Sequence, residues 1–326
     1  MRYSRMLAVA LVGASLAVAA ACQGTQSAKL DTENPLVPNP SVPVQPQETF
    51  DTPEAAVGAL KDAVSNPDKD EIHHIFGPAL KELVSGDTVE DKNNFHAFAE
   101  KAKEKTRIEM KSDSLANLYI GKDDYPFAIP LAKNAEGKWY FDTEAGKTEI
   151  LARRIGRNEL DTIAFMHAYV EAQREYASKD HDGSGVLKYA QRLVSSPGKK
   201  DGLYYPSSDA NDQSPFGPLA ADAALEGYGP VSGSRKNPKP YHGYLFHILK
   251  AQGASAPGGA YSYVINGNMI AGFGLAASPA EYGQSGIMTF IVNHQGKIYQ
   301  KDLGPKTPPG SVTIYNPDST WALVKE

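Results

Sequence analysis

The sequence predicts an α+β fold in two units, and three observations carry that expectation. Apolar residues at helical spacing fill residues 53–104, and the period changes to that of strands over 107–142. The same order, a long helix and then strands, recurs between 158 and 300. The chain has 326 residues, 41% of them hydrophobic and 22% charged, which is enough apolar material for more than one core and too little charge for a disordered chain. The expected organisation is a leader over 1–21, a tether over 22–48, a first α+β unit over 49–150 and a second over 151–326.

The leader is read first. Arg2 and Arg5 precede a run from Met6 to Ala21 made almost wholly of Ala, Leu and Val. That run is short for a membrane span, which needs roughly 20 apolar residues, and it ends in small residues as a secretory signal does. The sole cysteine, Cys22, follows Ala19-Ala20-Ala21. Small residues before a cysteine suit lipoprotein processing, which would leave Cys22 acylated and the protein attached to a membrane through its N-terminal lipid. Ordinary cleavage at the same junction, leaving a free thiol, is the alternative. Gln23 rather than Asp follows the cysteine, and by resemblance to bacterial lipoproteins that favours the periplasmic face of the outer membrane. Residues 23–48 carry Pro35, Pro38, Pro40, Pro43 and Pro46 among polar residues, as a semi-extended spacer does.

The first unit opens at Asp51-Thr52-Pro53-Glu54, where Thr52 or Asp51 can cap and Pro53 fits a first helical turn. Val57, Leu60 and Val64 follow at helical spacing, Ile72, Ile75 and Phe76 open a short second helix, and Phe95, Phe98, Ala99 and Ala102 share one face of a third over 89–104. Strands are expected at Arg107–Lys111, Leu115–Gly121, Pro126–Ala132 and Lys138–Asp142. Helices followed by a curling antiparallel sheet resemble the cone-shaped nuclear-transport-factor-2-like fold, which often hosts a pocket. His73 and His74 lie on the short second helix beside Asp70 and Glu71; adjacent helical residues diverge, so the two histidines cannot grip one metal together.

The second unit is expected to start with a helix from about Asn158 to Ser178, with Phe165, Tyr169, Ala172 and Tyr176 on one stripe. Strands are then expected at Gly243–Leu249, Tyr261–Ile265, Met269–Leu275, Ile287–Val292 and Lys297–Gln300, with tight turns at Asn266-Gly267 and Gln295-Gly296. One long helix ahead of an antiparallel sheet is similar to the globular part of type IV pilins.

A net charge of −5 removes the electrostatic footprint of a nucleic-acid binder. One cysteine rules out an internal disulfide framework and Cys-rich zinc sites. Asp180, Asp182 and Ser184, followed by Gly185, match the start of a calcium loop, in which alternate oxygens converge on one cation. Gln191 stands where the bidentate acid belongs, so calcium, the one cofactor the sequence raises, competes with a plain Asx turn. Gly272-Phe273-Gly274 lacks a following helix, and Ser196-Pro197-Gly198-Lys199 cannot form the helical turn its chemistry needs. No nucleophile, cofactor or catalytic-metal motif survives this reading. Around the long irregular stretch, Asp201, Tyr204, Tyr205, Tyr241, His242 and Tyr244 form either a recognition loop for a protein or glycan or a seal over the sheet.

Several segments carry a family resemblance: Tyr125-Pro126-Phe127-Ala128-Ile129-Pro130, Ile155-Gly156-Arg157-Asn158-Glu159-Leu160, and Ser196 through Tyr204. So do Tyr241-His242-Gly243-Tyr244 and Met288-Thr289-Phe290-Ile291-Val292-Asn293. With them the chain resembles the bacterial domain-of-unknown-function family 2950 over about residues 48–304. The resemblance implies an exported, often lipid-anchored envelope protein and supplies no activity. The leading expectation is a non-catalytic envelope module that binds an envelope protein or cell-wall partner through loops of its second unit. The alternative is a periplasmic hydrolase with an Asp/His pair such as Asp201 and His242.

Overall fold

A computed structural model describes residues 34, 36–43, 45–65, 69–207, 209, 212–226 and 239–325. The leader and Cys22 lie outside the described residues. Residues 34–326 form one compact unit, made of helices and antiparallel sheets as the α+β expectation requires.

Three helices come first: α1 (Pro53–Ser65), α2 (Lys69–Phe76) and, after a 3-10 turn at Pro78–Leu83, α3 (Thr88–Glu104). Thr52 caps α1, its Oγ1 accepting from Ala55 N at 3.1 Å. Asp87 caps α3 by accepting from Val89 N and Glu90 N, both at 3.1 Å. Strands β1 (Thr106–Ser112), β2 (Leu115–Ile120), β3 (Tyr125–Pro126), β4 (Leu131–Lys133) and β5 (Trp139–Phe141) follow. They form an antiparallel sheet in the order β1-β2-β4-β5, with β3 paired to β2. Leu60, Ile72, Ile75, Leu118, Leu131 and Phe141 lose nearly all solvent contact between the helices and this sheet. The single strand expected over 126–132 is broken, because Pro126 and Pro130 offer no N–H to a ladder. The break turns Phe127 and Ala128 towards a cavity.

Helix α4 runs from Thr143 to Tyr176, 34 residues and about 50 Å. It starts fifteen residues before the expected point, capped by Asp142, whose carboxylate accepts from Ala145 N at 3.0 Å. Its first turns bury Thr143, Gly146, Arg154 and Asn158 rather than a hydrophobic stripe, so apolar periodicity gives no sign of them. Gly146 permits the approach to the first sheet, since a Cβ there would lie 2.8 Å from Ile129 Cα. A boundary at 150 therefore falls inside a continuous helix that belongs to both halves.

The second half holds α5 (Gly217–Leu225), β6 (Tyr244–Leu249), and the short pairs β7 (Ala251–Gln252) with β8 (Tyr261–Ser262) and β9 (Val264–Ile265) with β10 (Asn268–Met269). Strands β11 (Gly274–Pro279), β12 (Met288–Asn293), β13 (Tyr299–Asp302) and β14 (Ala322–Leu323) complete a sheet ordered β14-β13-β12-β11-β6. Asn266 and Gly267 both have positive φ, 49° and 79°, and close the β9–β10 turn as the dipeptide predicts. The strand expected over 269–275 is interrupted at Gly272, whose φ of 145° only glycine adopts readily. Alternate residues of β11 face opposite cores: Leu275 and Ala277 meet the α4 side with Tyr169 and Phe290, while Ala276 meets Leu249, Ile291 and Tyr315. Covering on both faces explains why no residue of β11 is exposed. Among the described residues no helix is long and apolar enough to cross a membrane.

Candidate functional site

A cavity of about 420 Å3 opens in the first half. Its walls are aromatic because three elements each contribute phenylalanine: Phe76 from α2, Phe95 and Phe98 from α3, and Phe127 from the broken strand. Phe98 and Phe127 stack with centroids 4.9 Å apart and planes 20° apart, and Phe76 sits 6.1 Å from Phe127. Leu36, from the stretch read as tether, also lines the cavity. That stretch is bonded to the folded body from Asn34 onward, since Asn34 is buried and donates to Asp91 Oδ2 at 3.0 Å.

Lys101, Arg153 and Arg157 line the cavity as well, and each has a carboxylate nearby. Lys101 Nζ donates to Asp123 at 2.6 Å, Arg153 Nε to Glu149 at 2.7 Å, and Arg157 lies 3.7 Å from Glu90. Arg153 also donates to Tyr125 OH and Pro126 O, which fixes the strand break beside the cavity.

Arg154 is different. Its side chain is 5% exposed and that of Asp91 is 1% exposed. Arg154 Nη2 donates to Leu83 O, the last carbonyl of the 3-10 turn, and lies 3.8 Å from Asp91 Oδ1. Asp91 is already served by Asn34 and by Ser85 N at 3.1 and 3.2 Å. Arg154 Nη1 is buried and has no hydrogen-bond partner among the described residues. Burial pulls the Arg154 guanidinium below the usual arginine range, against the opposing pull of Asp91 and Glu90. Burial, and then the Asp87 charge, raise the Glu90 carboxyl above the ordinary carboxylate range.

The same polar layer ties the halves together. Asn158, one helical turn after Arg154, donates to Glu90 at 3.3 Å and to Ser285 O at 3.0 Å. Gly243 N donates to Asp87 at 3.4 Å, and Glu159 accepts from Ile287 N and Met288 N at 3.0 Å each.

The residues singled out by sequence fall elsewhere. Asp180 accepts three backbone N–H groups, from Asp182, Gly183 and Gly185. Asp182 and Ser184 converge on the Lys188 ammonium, at 2.5 and 3.2 Å, and Asn268 Oδ1 joins at 3.1 Å. The Lys188 hydrogen bond holds the Asp182 carboxyl far below its ordinary value. Lys188 thus bonds to the side-chain oxygens of Asp182 and Ser184, two of the three residues expected to face calcium. Asp201 accepts from Ser196 N and Oγ at 2.6 and 2.9 Å and faces Arg192. His242, at a positive φ of 46°, has Nε2 3.1 Å from Glu226 and Nδ1 3.7 Å from Asp161. Asp201 and His242 therefore sit in separate clusters. Tyr205 and Tyr244 are buried, and Tyr244 OH donates to Met288 O at 2.9 Å. Tyr204 and Tyr241 are half-buried against the second core, Tyr241 with its ring 5.8 Å from Phe165. His74 joins Glu71, one turn back on α2, and Glu48 in a group whose ligand atoms lie within 4.8 Å of one another, a set that could hold a metal among the described residues.

Sequence reasoning missed Asp91, Arg154 and Asn158. The signal lay in Arg153-Arg154 with Arg157, three basic residues just ahead of the helix expected from Asn158, and in Phe95 and Phe98 on one face of the third helix.

The fold and the cavity define an α+β protein with an aromatic-walled pocket that arginines help to line. The chain belongs to the family described as protein of unknown function (DUF2950), which matches residues 47–324. No curated protein and no solved structure matches it.

Proposed function

We infer that this is an exported, lipid-anchored envelope protein whose folded part binds a small apolar ligand in the cavity of its first half, without chemistry. One observation carries the reading: four phenylalanines surround about 420 Å3 of space that the core leaves unfilled, within the range of small-molecule sites. The cavity opens to solvent, so water there lies against aromatic rings, and an apolar ligand that displaces it removes that apolar surface from water. Export and acylation rest on the basic, apolar and small-residue order that ends at Cys22. Partner recognition through the second-half loops has less support, because Tyr205 and Tyr244 turn inward. An envelope or cell-wall partner would receive or deliver the ligand.

Ala97 lines the cavity from the exposed face of α3, so Ala97→Trp plugs the opening without entering a packed core. A neutral polarity-sensitive dye such as Nile red should brighten and shift to the blue with the unaltered protein. It should do neither with Ala97→Trp, at an unchanged melting temperature. Equal emission from both proteins refutes the cavity as the binding site.

A further inference from the structure

Apart from the cavity, we propose that Glu48, Glu71 and His74 form a zinc site with three protein ligands, which ties the end of the segment read as tether to α2. Glu71 and His74 stand three residues apart on α2 and so share one face of the helix. Both are half-buried, while Ile72, Ile75 and Phe76 turn into the core. Glu48 reaches that face from outside the helix, its backbone N–H donating to His74 O at 2.9 Å. The neighbouring Gln47 Nε2 donates to Ile75 O at 3.0 Å and to Phe141 O at 2.7 Å, which fixes the segment beside the helix. None of these contacts uses the carboxylates of Glu48 and Glu71 or the ring of His74, yet together they bring those groups to one place.

The spacing of the side chains is that of ligands around an ion. One ligand atom from each residue lies within 4.8 Å of the other two. Glu48 Oε2 stands 3.9 Å from His74 Nδ1, too far for a hydrogen bond, and it is buried with no hydrogen-bond partner among the described residues. Atoms bound to one zinc at about 2.0–2.2 Å stand about 3.4 Å apart in a tetrahedron and at most about 4.3 Å apart. The 3.9 Å gap therefore suits an ion between the two atoms, and small rotations of the glutamates bring the other separations into range. The His74 and Glu48 side chains keep 34% and 30% of their surface, which leaves an entry from solvent. The donor set then selects the metal. Two carboxylates and a neutral imidazole carry a charge of −2, which a divalent cation balances. Calcium and magnesium take oxygen ligands throughout, whereas zinc accepts imidazole nitrogen and carboxylate oxygen together, and three protein ligands leave its fourth position to water. Manganese and ferrous iron accept the same donors but bind such sites more weakly than zinc.

The experiment is a calorimetric titration of zinc into the metal-stripped full chain carrying Cys22→Ala, which removes the one thiol. Zinc should bind and raise the melting temperature, and calcium or magnesium at the same concentration should do neither. Glu48→Gln, Glu71→Gln and His74→Gln should each weaken zinc binding by at least ~10-fold, since even groups that only support a ligand cost about 10- to 100-fold. His96→Gln, on the exposed face of α3, should leave the affinity unchanged. The titration of the parent protein stands even where a variant fails to fold. Absence of zinc binding to that parent overturns the site. So does an affinity that the three substitutions leave in place, or that His96→Gln lowers as much as they do. Calcium or magnesium binding as tightly as zinc overturns the choice of metal.

Discussion

Replacing Asp91 by alanine tests the polar floor of the cavity most directly. Asp91 lies 3.8 Å from the Arg154 guanidinium, and two unit charges at that distance attract by about 4 kcal/mol at an effective dielectric of about 20. Asp91→Ala removes that attraction and also strands two donors, Ser85 N, which Asp91's two oxygens share, and Asn34 Nδ2. Breaking one side of a buried ion pair typically costs about 3–5 kcal/mol, because the other charge is left uncompensated. Arg154→Met should cost less, about 2 kcal/mol, since Asp91 keeps its Asn34 and Ser85 donors. The double variant has no stranded guanidinium, so its loss should fall short of the sum of the single losses by about 2 kcal/mol or more. Urea unfolding of the four proteins, followed by far-ultraviolet circular dichroism, gives all the required values. Losses that add to within about 0.5 kcal/mol would show that the two groups do not act on each other, and the account of Arg154 as a charge held by Asp91 would be wrong.

Three further outcomes are expected. Glu90 has a raised pKa when folded, so just above its ordinary value of 4.5 the folded state binds more protons than the unfolded one, and stability is lost as pH rises through that window. Glu90→Gln should flatten that decline, read as urea midpoints compared at pH values below and above the shifted titration. Lys188 supplies the positive charge of the Asp180 loop, so millimolar calcium should leave the melting temperature of the unaltered protein in place and raise it only in Lys188→Gln; a rise in the unaltered protein would give the loop back to calcium. Gly146→Ala should destabilise by about 1–3 kcal/mol, because its new carbon would stand 2.8 Å from Ile129 Cα, and a neutral result in thermal unfolding would refute the close approach of α4 to the first sheet.

Much of the architecture could be read from local chemistry. Caps at Thr52 and Asp87, the apolar faces of α1 to α3 and the Asn266-Gly267 turn all act over a few residues, and the structure keeps them. Where neighbours far along the chain decide, local signals fail. The first four turns of α4 bury Gly146, Arg154 and Asn158, so the helix has no apolar period to announce it, and its identity comes from the sheet and polar layer packed against it. Tyr244 reads from local sequence as either a recognition aromatic or a seal over the sheet, and only the fold shows its hydroxyl bonded to Met288 O inside the second core.

The sequence by itself determined that the chain is α+β and to which family it belongs, because both are written in composition, periodicity or short runs of residues. The tertiary structure alone decided where a cavity opens. Phe76, Phe95, Phe98, Phe127 and Arg154 come from four separate elements across nearly eighty residues. A cavity is a property of what fails to meet in space, and no spacing along a chain records it. The unfilled donor of Arg154 is the same kind of fact: it depends on Asp91 being occupied by Asn34 and Ser85, which only the folded chain brings together.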